Sequence, residues 1–272
     1  MLLPDRLVHE LAGYGRTLVA FSGGVDSSVV LAAAVRALGP ADVAAVTAVS
    51  PSLPGAELDA AAAFCAGLGV THHTVTTREL EVAGYRENGP TRCYFCKSTL
   101  LDTAAEVAAA HGYAAITTGT NASDVAAGFR PGIRAAAERG ARTPLADLGL
   151  DKAAVRAIAR GWGLATADKP AAACLSSRIA YGVTITPARL ARVERAEAAA
   201  RRSLAGVRDL RVRDLGDTVR LEVDAALVER ARGDAALRAA IGAAGFGAAA
   251  LRVEPFRSGS MNELLPDPDS HR

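Results

Sequence analysis

Apolar positions in the first two thirds of the chain alternate between short runs and longer stretches of helical period. Leu3, Leu7, Leu11 and Tyr14 recur at helical spacing and predict a short helix within Met1 to Gly15. Thr17 to Phe21 is short, apolar and partly β-branched, the signature of a strand. The alanine-heavy run from Val29 to Leu38 predicts a helix that opens at Ser27. The same reading gives strands at Val43 to Val49, Thr71 to Val75 and Ala114 to Thr118, and helices at Gly55 to Leu68, Cys96 to Ala110 and Lys152 to Trp162. Segments without a clear period, punctuated by Gly and Pro, are expected to be irregular: Val82 to Arg92 as a loop delivering Cys93, Phe129 to Arg134, the exposed turn Thr143 to Leu148, and the loop Leu164 to Cys174. Strand and helix in alternation imply an α/β fold with a doubly wound, mostly parallel, Rossmann-like sheet. Ligands in such sheets lie at the carboxyl ends of the strands.

A break in composition follows near Gly182. Thr186-Pro187 opens a helix in the way proline at the first helical position does, and Leu190, Val193, Ala196 and Glu197 carry it to about Leu204. Strands at Leu210 to Val212, Val219 to Val223 and Ala250 to Glu254, with a helix over Ala225 to Ala244, complete a small α+β domain. The expected division is therefore 1–181 and 182–258, with a Pro- and Asp-rich tail, 259–272, expected to be disordered.

The first loop between strand and helix carries the chemistry. In Ser22-Gly23-Gly24-Val25-Asp26-Ser27-Ser28 two glycines let the backbone turn its N–H groups inward, and the following helix adds its positive dipole end. Such a hollow binds phosphate, with Ser22, Ser27 and Ser28 as further donors. The Gly-Lys-Ser/Thr of ordinary NTPases and the three spaced glycines of dinucleotide-binding loops are both missing. Ser-Gly-Gly-Val-Asp-Ser resembles instead the PP-loop of the ATP pyrophosphatase superfamily, whose members cleave ATP between the α and β phosphates. Asp26 among phosphate ligands is explained by Mg²⁺, for which a carboxylate is a ligand. A second loop, Gly119-Thr120-Asn121-Ala122-Ser123-Asp124, follows a predicted strand, where Gly119, Asn121 and Asp124 would meet the nucleotide from the other side.

Composition narrows the class. Hydrophobic residues make up 50% of the 272 and charged residues 22%, and neither a membrane-length apolar run nor a basic-then-apolar leader is present, so a cytoplasmic protein is expected. A formal net charge of +2 gives no argument for nucleic acid. Arginine outnumbers lysine 28 to 3, which marks Lys97, Lys152 and Lys169 as places where a guanidinium will not substitute. Of the four cysteines, Cys65 falls within the apolar period of its helix and reads as core. His72 and His73, adjacent in a strand, point to opposite faces and read as structural. Cys93-Tyr94-Phe95-Cys96 is a CxxC, open to reading as a redox pair, half a zinc site or part of a cluster site. Cys174, in a loop beside Ser176, Ser177 and Arg178, supplies a third thiol with no histidine near any of the three. Three thiolates suit an iron–sulfur cluster with one open iron, and equally a reactive thiol with a bystander pair.

Taken together, the PP-loop, Arg-Cys-Tyr-Phe-Cys-Lys at 92–97, Thr-Gly-Thr-Asn-Ala-Ser-Asp at 118–124, Arg-Pro-Gly at 130–132, Lys-Pro-Ala-Ala-Ala-Cys-Leu-Ser-Ser-Arg at 169–178 and Leu-Arg-Val-Arg at 210–213 resemble the LarE family over roughly residues 1 to 255. LarE enzymes are ATP-dependent sulfur transferases of nickel-pincer nucleotide biosynthesis. The resemblance implies adenylation of the carboxylates of pyridinium-3,5-biscarboxylic acid mononucleotide, loss of pyrophosphate, and displacement of AMP by sulfur to leave a thiocarboxylate. It also implies that Cys174 bears the sulfur, that Arg211 and Arg213 hold the substrate phosphate beside Ser177 and Arg178, and that a homo-oligomer, a hexamer in relatives, forms. Some members sacrifice the single cysteine to dehydroalanine. Others with a CxxC are expected to hold a [4Fe-4S] cluster, here on Cys93, Cys96 and Cys174. The family's usual His-Gly after Arg-Val-Arg is replaced by Asp214-Leu215-Gly216. A PP-loop tRNA thiolase, an ammonia-using PP-loop ligase and a non-catalytic nucleotide-binding module are the rival readings; the first would need a basic RNA surface, and the second would leave three cysteines idle.

Overall fold

The computed structural model describes residues 2–170, 173–247, 249–257, 259–261 and 263. Most of the expected tail lies outside the described residues, as do Ala171 and Ala172 of the loop before Cys174. The chain forms two compact units, Met1–Glu79 with Cys93–Ala172, and Leu80–Arg92 with Ala173–His271.

The first unit is built on four parallel strands, β1 (Thr17–Ala20), β2 (Val43–Val49), β3 (Thr71–Thr76) and β4 (Ala115–Thr118), in the order β3-β2-β1-β4. The chain steps from β1 outward to β2 and β3, then returns to lay β4 on the other side of β1. The carboxyl ends of β1 and β4 therefore flank the point where the winding reverses, the place where such sheets bind ligands. Both faces are covered, which is why β1 is buried along its whole length. Val19 and Phe21 pack with Leu7, Leu11, Val29, Val30, Ala61, Val155 and Ile158 from four helices. Leu18, Ala44 and Val46 face Ala104 and Ala108 of the helix Arg92–His111.

Cys65 is in that first core, and burial pushes its thiol pKa up to about 11, as expected of an inert core cysteine. His72 shares a hydrogen bond with Thr47 Oγ1 at 2.8 Å while His73 meets Tyr113 at 3.2 Å, so the pair diverges as the strand alternation requires. No helix among the described residues is long and apolar enough to cross a membrane.

The second unit carries a three-stranded sheet, β5 (Leu210–Asp214), β6 (Thr218–Val223) and β7 (Ala250–Pro255), antiparallel between β5 and β6 and parallel between β6 and β7. Its long helix runs Pro187–Ser203, with the Thr186 side chain accepting from the Arg189 N–H.

Five expectations are corrected. The segment expected as a loop, Val82 to Arg92, contains the helix Ala83–Arg86, with Tyr85 fully buried and Asn88 at φ 56° donating to the carbonyls of Ile179, Ala180 and Val183. Its order comes from partners some ninety residues on, invisible to a local reading. Cys93 is not on that loop but in the helix that starts at Arg92, placing Cys93 and Cys96 one turn apart on one face. Pro131–Glu138 is a helix, since its proline occupies a first-turn position that needs no N–H donor. Finally, Pro144–Asp147 is a helical turn that buries Pro144 and Leu145 while Asp147 stays exposed, and Ala225 to Ala244 is interrupted at Gly233-Asp234, where Asp234 caps a new helix by accepting from Leu237 N–H at 2.8 Å.

Candidate active site

The PP-loop turns between β1 and the helix Val25–Leu38, which starts at Val25 with Gly24 as its N-cap, two residues earlier than expected. Gly23 sits at φ 69°, where only glycine is unstrained. Ser27 Oγ donates to the Gly24 carbonyl at 3.1 Å and lies 3.2 Å from Ser22 Oγ, so two hydroxyls share one rim. Ser28, by contrast, is fully buried and its hydroxyl makes no hydrogen bond among the described residues. It packs under the hollow and does not line it.

Gly119, at the end of β4, closes the hollow from the opposite side. A Cβ at Gly119 would lie 2.6 Å from Ser27 N and 3.0 Å from Asp26 C, both backbone atoms that cannot yield. Gly119→Ala should therefore push the two loops apart, costing about 1–3 kcal/mol in thermal or urea unfolding and removing the melting-temperature rise caused by Mg·ATP. A variant with wild-type stability and an intact Mg·ATP response would show that the approach is unimportant.

Asn121 caps the helix Ala122–Ala126 through Asp124 N–H at 2.9 Å, and its amide donates to Asp26 Oδ1 at 2.9 Å. The two loops singled out in the sequence are thus one site. A cavity of ≈ 330 Å³ opens there, lined by Ser22, Gly24, Asp26 and Ser27 of the first loop, Gly119, Thr120 and Asp124 of the second, Thr47, Ala48 and Leu53 from the β2 side, and Lys97. Burial raises the Asp26 pKa, the Asn121 hydrogen bond opposes the rise, and the neighbouring Asp124 adds to it. A divalent cation would relieve both the burial and the like charge. With two carboxylates lining one cavity, the residues fit Mg²⁺, which Asp26 and Asp124 would hold together with phosphate oxygens.

All three lysines converge on this site. Lys169 Nζ donates to the Gly23 carbonyl at 2.9 Å and to Glu57 at 2.6 Å, pinning the loop to the helix Gly55–Leu68. Lys152 pairs with Asp124 at 3.3 Å. Lys97 lines the cavity and has no hydrogen-bond or ion-pair partner among the described residues. Burial lowers its pKa, and the thiols of Cys96 and Cys93 oppose that shift. The arginine bias marked Lys97 in the sequence, but only the fold gives it a place on this cavity.

The second unit holds the other predicted residues. Cys174 is half-buried at the start of the turn Leu175–Arg178. Its carbonyl accepts from Ser177 N–H at 3.0 Å, Ser177 Oγ at 2.7 Å and Arg178 Nη1 at 3.0 Å, so the thiol stands on a fixed backbone. Arg178 is buried against Glu197 at 2.9 Å. On β5, Arg211 and Arg213 share one face, opposite to Leu210 and Val212. Arg213 makes a two-pronged pair with Glu222 at 3.0 and 2.8 Å and donates to the Ser177 carbonyl at 3.2 Å. Burial lowers the pKa of both guanidiniums, with Glu222 opposing the shift at Arg213 and Arg178 adding to it at Arg211. Glu197 and Glu222, which neutralise these arginines, were not singled out in the sequence. The available signal was an acid on an otherwise apolar helix face, and one directly across the hairpin from Arg-Val-Arg. Asp214 is fully buried between Arg189 and Arg192 at 2.8 and 2.6 Å and serves as their shared counter-ion.

Cys93 and Cys96 belong to the first unit and Cys174 to the second. The pair, one helical turn apart, fits two ligands of a cluster. No group of three or more His, Cys, Asp or Glu able to hold a metal ion occurs among the described residues, so neither unit alone supplies the expected three-thiol set.

Residues 11–91 match the family model described as "Asparagine synthase", which covers the PP-loop. An uncharacterized protein of Synechocystis sp. is 42% identical over 253 residues, 92% of this chain and 93% of its own length. The pyridinium-3,5-bisthiocarboxylic acid mononucleotide synthase of Lactiplantibacillus plantarum is 36% identical over 264 residues, 95% of this chain and 93% of its own. That identity extends through the PP-loop unit and the Cys174 unit alike, and with the loop geometry it establishes that the chain belongs to the LarE family of PP-loop, ATP-binding transferases.

Proposed function

We propose that the protein is an ATP-dependent sulfur transferase acting on pyridinium-3,5-biscarboxylic acid mononucleotide. The observation that carries the proposal is the joining of the PP-loop and the Gly119–Asp124 loop around one cavity with two carboxylates and a lysine. A substrate carboxylate oxygen attacks the α-phosphorus of ATP, the bond to the bridging α–β oxygen breaks, and pyrophosphate leaves with its charge met by Lys97 and the Ser22 and Ser27 hydroxyls; Mg²⁺, which Asp26 and Asp124 would hold, would supply further charge neutralisation there. The acyl-adenylate carbon then takes a sulfur nucleophile and expels AMP. Arg211 and Arg213 anchor the substrate phosphate as planar two-pronged donors, for which Arg213 exchanges Glu222 for phosphate.

Two sulfur sources are compatible with the residues. In the sacrificial route the Cys174 thiolate forms a thioester, and loss of its α-proton with cleavage of Cβ–S leaves dehydroalanine and the thiocarboxylate. A [4Fe-4S] cluster on Cys93, Cys96 and Cys174 is the alternative we favour from the presence of the CxxC; a cluster would supply sulfide at its open iron. The test is mass spectrometry of product and protein after one turnover under anaerobic conditions, with iron and labile sulfide counted beforehand. Product heavier by the exchange of oxygen for sulfur supports the proposal. Iron-free protein that has lost the mass of H₂S at residue 174 selects the sacrificial route, and unaltered substrate contradicts sulfur transfer.

A further inference from the structure

At the carboxyl ends of β2 and β3, beside the cavity, is a carboxylate to which the adenylation chemistry gives no task. Glu79 is 2% exposed. Its Oε1 accepts from Ser50 Oγ at 2.5 Å and from Ser52 Oγ at 3.0 Å. The two hydroxyls lie 2.8 Å apart, Ser52 N–H donates to Ser50 Oγ at 3.2 Å, and Leu53 N–H to the Ser50 carbonyl at 3.0 Å. One carboxylate therefore fixes a tight turn that begins directly after β2 and delivers Leu53 to the cavity wall. Its other oxygen is buried without a hydrogen bond among the described residues. A buried acceptor left without a partner is destabilising, a penalty that a merely adequate turn would avoid.

The cavity is divided chemically. Its two carboxylates, Asp26 and Asp124, belong to the two glycine-bearing loops that also carry the Ser22 and Ser27 hydroxyls, which is the phosphate side. Ala48 and Leu53 offer an apolar wall on the β2 side, suited to the face of a flat heterocycle. We propose that Glu79 is a positioning residue for the nucleobase, acting through Ser50 and Ser52 to hold Leu53 and the backbone of its turn against the base of ATP. This inference rests on the nucleotide reading above and assigns to the acid a role on the base side only.

The experiment separates base from phosphates by titrating the full-length protein with Mg·ATP and, separately, with magnesium tripolyphosphate, followed by calorimetry. In Glu79→Ala the Mg·ATP dissociation constant should rise about tenfold, the equivalent of one to two lost hydrogen bonds, while tripolyphosphate binding stays within about twofold of wild type. Glu79→Gln keeps an acceptor oxygen for both serines and should restore ATP affinity, which a charge effect or general loss of structure would not do. In steady-state pyrophosphate release, KM for ATP should rise with kcat little changed. Equal weakening of both ligands in Glu79→Ala, or unchanged ATP binding, overturns the inference and leaves the nucleotide reading intact. Wild-type protein that binds neither ligand would overturn both.

Discussion

Asp26→Ala is expected to abolish Mg·ATP-dependent pyrophosphate release, by about 10³-fold or more, while the protein melts at or above the wild-type temperature. The loss follows from removing one of the two carboxylates that line the cavity, and with it the means of holding Mg²⁺ against the phosphates. The retained stability follows from the sign of the Asp26 shift. Burial, reinforced by Asp124, raises its pKa, so at neutral pH the folded state carries a carboxylate that it disfavours relative to the unfolded chain. Deleting the group relieves that cost and gives up one hydrogen bond from Asn121. Stopped activity in a protein of undiminished melting temperature is the expected pair of readings. Wild-type pyrophosphate release would remove Asp26 from the mechanism.

Cys174→Ala separates the two halves of the reaction. The PP-loop cavity lies entirely within the first unit, whereas Cys174 is held in the second by its own turn. Adenylation should therefore persist, with pyrophosphate appearing at a rate within a few-fold of wild type, while thiocarboxylate falls by at least about 10³-fold. Both sulfur sources require this thiol, so the outcome does not depend on choosing between them. Continued thiocarboxylate formation by Cys174→Ala would detach the residue from sulfur transfer.

The alternating elements of the first unit were legible because buried parallel strands read as short apolar runs and their helices as longer periodic ones. Gly55–Leu68 and Val43–Val49 have the bounds their periods predict. Errors clustered where long-range contacts override local chemistry. Asn88 orders its segment by donating to Ile179, Ala180 and Val183. A local misreading also occurred at Pro131, which opens a helix that its Pro-Gly dipeptide conceals. At the candidate site, the residue types of both glycine-bearing loops were visible. That Asp26 and Asn121 are bonded across 95 positions was not, since the sheet order that joins them is a property of the whole unit. Ser28 looked equivalent to Ser27 in the sequence, yet one further step of helix rotation takes it from the rim into the core. The buried acids Glu197 and Glu222 were missed for a related reason, because a charge on an apolar face reads as noise until its arginine is placed opposite.

Pyrophosphate release with two competing acceptors tests the central claim most directly. Given Mg·ATP, the protein should release pyrophosphate with pyridinium-3,5-biscarboxylic acid mononucleotide and remain at background with tRNA. Release that depends on tRNA, or no release with the pyridinium nucleotide under anaerobic conditions, would contradict the account.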